Sequence, residues 1–449
     1  MTQSDSAPQP PKKASSVRHT RAIQRDRSKR PLVAPPDEQI TERLTELIRP
    51  VTFSTVAFYY DLGLRERLLT LPIMVALVLT MIWRQVGSVR QLVHLLNREG
   101  LFWAEPTQVS QQAVSQRLRT LPAELFQQVR LALRPPLQTR WHSRQRPVPP
   151  EIAWAPAHYT EVLVHDGSTL DGLLRQVGLL RDAELNPLAG RMTARLDLGS
   201  RLPKRLWYEA DAQAHDQRFW LQIQSVLQAG SLLIFDLGYT NFTVFAQLTQ
   251  AQITFLTRAK SNLAYQVERV LRRTAQVHEQ LVWIGQGDER QFVRRIEVLY
   301  HGRWYRYLTN ELDTERLPTP YAVAWYWQRW RIEDAYALVK RLLGLAYFGV
   351  GSQNGVELQR WATWLLYAVL VDLTDAVADA LNQPFAALSL EMVYRSLYFF
   401  TSAFQRGAAT DVVAYLAANA KAFGILKQKR KGARPSPLQL LNLTNPSGP

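Results

Sequence analysis

The chain of 449 residues has no cysteine and eight histidines. Without thiols there is no disulfide, no catalytic thiolate and no zinc site built on sulfur ligands. The histidines show no paired ligand spacing, so a structural metal held by imidazoles is not expected. Acidic residues are in deficit: 38 Asp and Glu face 54 Lys and Arg, a net charge of +16. Such an excess fits a polyanionic partner, either nucleic acid or an anionic membrane surface. A run long enough for a membrane is also missing from the N-terminal third. The candidate "LLTLPIMVALVLTMIW", Leu68 to Trp83, contains Pro72 and falls short of the roughly 20 residues that cross a bilayer. It reads as a buried helix, and no membrane partner is expected.

The positive charge is uneven. Residues 1–150 hold 22 Lys and Arg against 11 Asp and Glu, so +11 of the +16 lies there. Residues 1–38 are rich in Pro, Ser, Arg and Lys without apolar periodicity and read as a disordered basic arm. The prolines and the missing amphipathic stripe argue against a transit peptide. Residues 39–150 read as a helical domain. In "VSQQAVSQRLRTLPAELFQQV", Ser110 is an expected N-cap, with Ala113, Val114, Leu118 and Leu121 facing inward. Gln112, Gln116, Arg117 and Arg119 face outward and are the side-chain types that reach bases and phosphates from a helix in a groove. A plain solvated face would look the same. From Arg134 to Pro156 the chain turns Pro-rich and aperiodic, and a domain boundary is expected there.

Beyond it the period becomes extended. "EVLVHDGSTL" places Asp166 after a short apolar strand, and "SLLIFDLGYTNF" does the same for Asp236. A carboxylate at the carboxyl end of a buried strand projects into the crevice where α/β sheets bind ligands, although either Asp alone also reads as a turn or cap residue. "RMTARLDLG" and "KRLWYEADA" alternate like antiparallel strands, so the sheet is mixed. Further on, "WYWQRWRIEDAYALVK", Trp325 to Lys340, sets charge directly beside indole and phenol. In one continuous α-helix Tyr326, Arg329, Glu333 and Lys340 fall in a single stripe. Trp325, Ile332, Tyr336, Val339 and Leu343 form the neighbouring buried one. The charged line then runs along the rim of the core. A salt-bridged surface helix accounts for the Arg329–Glu333 spacing equally well, but not for the two upstream Asp residues in a strongly basic chain. Three carboxylates from separate elements are what two magnesium ions need for displacement at phosphorus.

These residues carry a resemblance. The window fits Tyr-x2-Arg-x3-Glu-x6-Lys without a gap and resembles the Y-R-E-K signature of the insertion-sequence-four family of DDE transposases. "HDGSTL" and "FDLGYTNF" are similar to that family's first and second Asp motifs, and the similarity takes in "AHDQRFW" and "YRYLTNELD". Leu237, after the second Asp, departs from the polar or basic residue often found there. The resemblance implies Asp166, Asp236 and Glu333 as catalytic and metal-binding residues, with Asp166 as the bridging ligand, and two Mg2+ ions that Mn2+ can replace. It implies Tyr326, Arg329 and Lys340 on phosphates, and an aromatic pocket for a flipped base, for which Trp304 and Trp283 are candidates, although each reads first as a core residue.

The implied fold class is mixed α/β: a ribonuclease-H-like core over 151–258 and 318–400, interrupted by a β-rich insertion over 259–317. The separation of 97 positions from Asp236 to Glu333 leaves room for an extra sheet there. A helical segment and basic tail follow over 401–449, the tail being either a DNA contact or a solvated end. Trp361 to Leu381 reads as core helix, with an assembly surface as the other reading. The activity implied is cut-and-paste transposition, with nicking, hairpin formation and strand transfer. The partners implied are the transposon ends with their inverted repeats, target DNA and a second copy of the chain, in a prokaryotic cytoplasm. A DNA-binding derivative without nuclease activity, or a nuclease that cuts without joining, would show the same motifs.

Overall fold

The computed structural model describes residues 38–427 apart from 66, 85, 87, 170–190, 210–219, 240 and 344–351. The basic arm, apart from residue 38, the tail from 428 and most of "AHDQRFW" lie outside the described residues. The N-terminal part is helical: α1 Glu38–Ser54, α2 Val56–Asp61, α3 Leu71–Trp83, α4 Val89–Arg98, α5 Gln111–Thr120, α6 Glu124–Ser143 and α7 Pro150–His158. Helix α3 is the apolar run. It is buried on every face from Met74 to Ile82, as a helix without a polar side must be, and Pro72 sits in the first turn, where its missing N–H is harmless. The Pro-rich stretch differs from expectation. Helix α6 runs straight through Pro135 and Pro136, because Leu133 and Leu137 on either side of them are buried. Only residues 144–149 are non-helical between α6 and α7.

Among the described residues nine strands form one sheet. They are β1 Val162–Thr169, β2 Arg191–Asp197, β3 Pro203–Glu209, β4 Leu232–Phe235, β5 Thr254–Arg258, β6 Tyr265–Arg273, β7 Val277–Ile284, β8 Gln291–Tyr300 and β9 Arg303–Thr309. The short α8 Trp220–Gln224 precedes β4, and α9 Phe242–Gln250 connects β4 to β5. The order is β3-β2-β1-β4-β5-β9-β8-β7-β6. β1, β4 and β5 are parallel, whereas β2 pairs antiparallel with β1 and β3 antiparallel with β2. This mixed arrangement fits a ribonuclease-H-like transposase domain. The strands between Asp236 and Glu333 do not make an extra sheet. β9 pairs antiparallel with β5, so β6 to β9 extend the existing sheet.

The remaining helices are α10 Thr319–Gln328, α11 Arg331–Ala337, α12 Gln353–Ala380, α13 Leu390–Gln405 and α14 Val412–Ala418. α12 is long and apolar enough to span a membrane but is almost wholly buried inside the protein. It is also where the helical part is locked to the rest. Asp372 accepts from Arg43 on α1 at 2.9 Å and from Arg144 at 2.6 Å, and Asp375 accepts from Arg144 at 2.7 Å and from Arg146. Both side chains are 1% exposed. Burial raises the Asp375 pKa, and the two arginines oppose that shift. Truncating one member of such a cluster leaves buried charge uncompensated. Asp375→Ala should therefore cost about 3–5 kcal/mol in urea denaturation; a loss below about 1 kcal/mol would mean that the cluster is solvated in solution.

Candidate active site

The register of β1 and β4 brings the first two carboxylates together. Val162 pairs with Leu232 and His165 with Phe235, so Asp166 and Asp236 each come one residue later, side by side. Asp236 leaves the end of β4, as expected. Asp166 does not end a strand: β1 continues through Gly167 and Ser168 to Thr169, paired with β2. Its Oδ1 accepts from the Gly167 N–H at 2.8 Å.

Glu333 arrives from a helix that is not continuous. α10 stops at Gln328, Arg329 and Trp330 form a turn, α11 begins at Arg331, and Leu338–Leu342 is a π-helical turn. The N–H groups of Arg329, Ile332 and Glu333 reach carbonyls three residues back at 3.1 Å, which tightens the junction. Aromatic anchors set the position of α10. Trp325 is fully buried and donates to the Glu151 carbonyl at 3.0 Å, Trp327 donates to the Tyr307 hydroxyl at 3.0 Å, and Gln328 donates to Glu151 Oε1 at 3.1 Å. The five residues assigned to the apolar stripe are all buried. Arg329 and Tyr326 are not on a rim: they are 5% and 4% exposed.

Arg329 is the centre of the site. Its Nη1 donates to Asp166 Oδ2, and its Nη2 lies 3.7 Å from Asp236 Oδ1 and 3.7 Å from Glu333 Oε1. All three carboxylates thus share one guanidinium. The Tyr326 hydroxyl donates to Asp236 Oδ1 at 3.0 Å, so this tyrosine holds a carboxylate. The Lys340 ammonium donates to Ser168 Oγ at 2.7 Å, and the Tyr336 hydroxyl donates to the Asp166 carbonyl at 2.7 Å. Sequence reasoning missed Tyr336, reading it only as core, and Ser168, although it lies inside the quoted Asp motif. It also missed Trp330, which is 57% exposed and stands at the junction with its ring 5.4 Å from the Arg329 guanidinium.

The electrostatics follow from burial. Asp166 is pushed up to about 6: desolvation raises it most, Arg329 and the Gly167 N–H pull against that, and Asp236 and Glu333 add to the rise. Glu333 is raised by burial first, against the pull of Arg329. Burial works against the charge on Arg329, but Asp166, then Tyr326, Asp236 and Glu333, more than offset it and raise its pKa.

Three carboxylates are the hard oxygen donors that magnesium or manganese takes, and a cation already stands among them. In that respect the residues fit a divalent metal. As they stand, however, no three His, Asp or Glu side chains among the described residues are grouped closely enough to hold one, and the guanidinium is what lies between the acids.

Other expected residues are placed less closely. Trp304 lies three residues before Tyr307 on β9, which, running antiparallel to β5, carries it beyond the level where β5 ends at Arg258, and it stacks on His278 at 4.4 Å. Trp283 is not brought to the acids. Its register with Phe292 puts it roughly 13 Å back along the strands and four strands across from β4, where Glu268, Phe292 and Arg290 hold it. On α5, Ser110 caps the helix by accepting from the Ala113 N–H at 3.1 Å, and Val114, Leu118 and Leu121 are buried. Ala113 is exposed rather than inward, and so are Gln112, Gln116 and Arg119. Arg117 does not face a groove: it donates to the Tyr59 hydroxyl at 2.6 Å and to the Leu69 carbonyl at 3.3 Å.

Residues 191–369 match the family model described as a transposase DDE domain. The match starts at β2, after Asp166, and takes in Asp236, Tyr326, Arg329, Glu333 and Lys340. A protein of Sinorhizobium fredii (strain NBRC 101917 / NGR234) that carries the provisional name transposase y4zB is 28% identical over 177 residues, 37% of this chain and 48% of that relative. The chain thus spans about half the length of the curated relative it matches. Both findings support a DDE transposase.

Two measurements test this site description. The folded pKa of Asp166, about 6, lies above its unfolded value near 4, so ionising it costs stability. The cost appears as pH rises through that window and is complete above it. The stability of Asp166→Asn relative to wild type should therefore improve by on the order of 1–3 kcal/mol between pH 4 and pH 7; a pH-independent difference in melting would contradict the burial argument. On α5, Arg117→Met should cost about 1–3 kcal/mol, whereas Arg119→Ala should stay within about 0.5 kcal/mol. Equal melting temperatures for the two variants would show that Arg117 is free.

Proposed function

We propose that this chain is a cut-and-paste transposase, which cleaves duplex DNA at the ends of an insertion sequence and joins the freed 3′ ends to target DNA. The observation that carries this reading is the convergence of Asp166, Asp236 and Glu333, from a strand, a strand end and a helix, on one buried cation. Those three side chains would hold the Mg2+ or Mn2+ ions, with Asp166 shared. A bound metal supplies activation of the attacking water or hydroxyl and stabilisation of the leaving oxygen.

The chain's own residues do the aligning. Tyr326 fixes the Asp236 carboxylate from one side, and Tyr336 fixes the Asp166 backbone from the other. Arg329 and Lys340 bring two positive charges to the same edge, where a phosphodiester would accept charge-assisted hydrogen bonds. β6 to β9 read as the β insertion of the insertion-sequence-four family, and the window from Tyr326 to Lys340 as its Y-R-E-K signature. If a hairpin forms, a base must leave the stack, at a cost of a few kcal/mol. Trp304, at the correct end of the sheet, and the exposed Trp330 are better placed than Trp283 to receive it. Gln112, Gln116 and Arg119 on α5 would contact the end sequence, and the basic arm would add salt-dependent affinity. Two copies, one for each end, would work together on DNA in the cytoplasm.

The test uses labelled duplexes that carry short inverted repeats flanking the gene. Wild type with Mg2+ should bind, nick and join them. Asp166→Ala, Asp236→Ala and Glu333→Ala should each lose cleavage by a factor of at least about 10³ and still bind. Near wild-type nicking by any one of them removes that residue from the site. Binding without cleavage by the wild type points to a DNA-binding derivative, and cleavage without joining to a nuclease.

A further inference from the structure

Arg329 occupies the position that the proposed function requires for metal, and this carries a consequence for the order in which ligands bind. The side chain is 5% exposed and touches Asp166, Asp236 and Glu333 together. Its buried Nε has no hydrogen-bond partner, so the contacts of this guanidinium in the site are made through its two terminal nitrogens. The backbone at Arg329 lies at the junction between α10 and α11. A guanidinium and a divalent ion cannot both occupy the space between the same three carboxylates. A phosphate, in turn, offers the guanidinium a bidentate partner of matching geometry.

We propose that Arg329 is a stand-in cation that couples metal loading to DNA engagement. In the DNA-free protein it partly compensates the charge of the three carboxylates and competes with the metal. When a DNA phosphate reaches the site, Arg329 transfers to it, and the carboxylates become free to bind Mg2+ or Mn2+. By linkage the coupling is reciprocal, so metal must tighten DNA binding at this site by the same factor. The free protein is thereby kept from acting as an indiscriminate metal-loaded nuclease. This inference rests on reading Asp166, Asp236 and Glu333 as the metal site.

The measurement is Mn2+ affinity of the full chain, from the paramagnetic resonance signal of free Mn2+, corrected with a DNA-only blank. Without DNA, Arg329→Gln should bind Mn2+ at least about tenfold more tightly than wild type, whereas Arg329→Lys, which keeps a cation, should tighten it less. Adding an end duplex that the wild type binds should tighten Mn2+ by at least about tenfold in the wild type and by less than about threefold in Arg329→Gln. Equal affinity of wild type and Arg329→Gln without DNA overturns the inference. So does an unchanged wild-type affinity on adding DNA, a comparison that needs no variant and survives any folding defect in Arg329→Gln. If the tightening persists in the double variant Asp166→Asn, Arg329→Gln, the metal lies elsewhere and the reading of the carboxylates fails instead.

Discussion

A guanidinium buried to within a few per cent needs counter-charge at close range, because leaving water costs a charged group several kcal/mol unless partners compensate. Arg329 obtains that compensation from three carboxylates on three elements. The reverse also holds. Three carboxylates facing one space repel one another, and a cation between them lowers the cost of bringing together the elements that carry them. β1, β4 and the junction of α10 with α11 are therefore held in mutual register by one shared charge as well as by packing. The raised pKa of Asp166 indicates that a single guanidinium does not fully offset the desolvation and repulsion, which is the electrostatic condition under which a stronger cation is welcome.

The placing of that charge depends on its aromatic neighbours. A fully buried Trp or Tyr contributes about 1.5–3 kcal/mol or more from its apolar surface, whereas the Arg329–Glu333 pair alone would contribute a few tenths. Trp325, Trp327, Tyr326 and Tyr336 also spend their polar atoms on Glu151, Tyr307, Asp236 and Asp166. Each ring thus anchors the helix and its hydrogen bond fixes the rotation. The mixture of indole, phenol and charge in "WYWQRWRIEDAYALVK" has this origin: the rings determine where the charges stand.

The two Asp-bearing segments and the buried stripe were legible from spacing, because strand and helix periods place side chains on faces without tertiary information. The break at Arg329 was not, since no Gly or Pro marks it and the residues between Trp325 and Lys340 are all tolerated in a helix. The burial of Arg329 accompanies that break, whereas Tyr326 is buried within α10 by its packing against Tyr307 and Asp236. The route of α6 through Pro135 and Pro136 was hidden for a different reason. Local chemistry there favours a stop, and the burial of Leu133 and Leu137 overrides it. Nor could sequence show that β9 would pair with β5, because alternation defines a strand but not its neighbour. Arg117 read as a groove residue because exposure cannot be seen in a helical wheel, and its partners Tyr59 and Leu69 are about fifty residues earlier in the chain.

The connection between α5 and the acids runs through α12. At one end, Asn354 donates to the Leu118 and Leu121 carbonyls at 2.9 and 2.7 Å, capturing acceptors that the end of α5 would otherwise leave unpaired. In the middle, Trp364 is fully buried against Tyr336, with ring centres 6.1 Å apart, and Tyr336 holds the Asp166 backbone. Further along, Asp372 and Asp375 bind the arginines of α1 and of the segment after α6. One rigid helix therefore touches the exposed polar face's own scaffold, the carboxylate cluster and the charge lock of the helical part. Close-packed contacts of this kind transmit position with little slack. The spacing between α5 and the three acids is accordingly bridged by the contacts of α12.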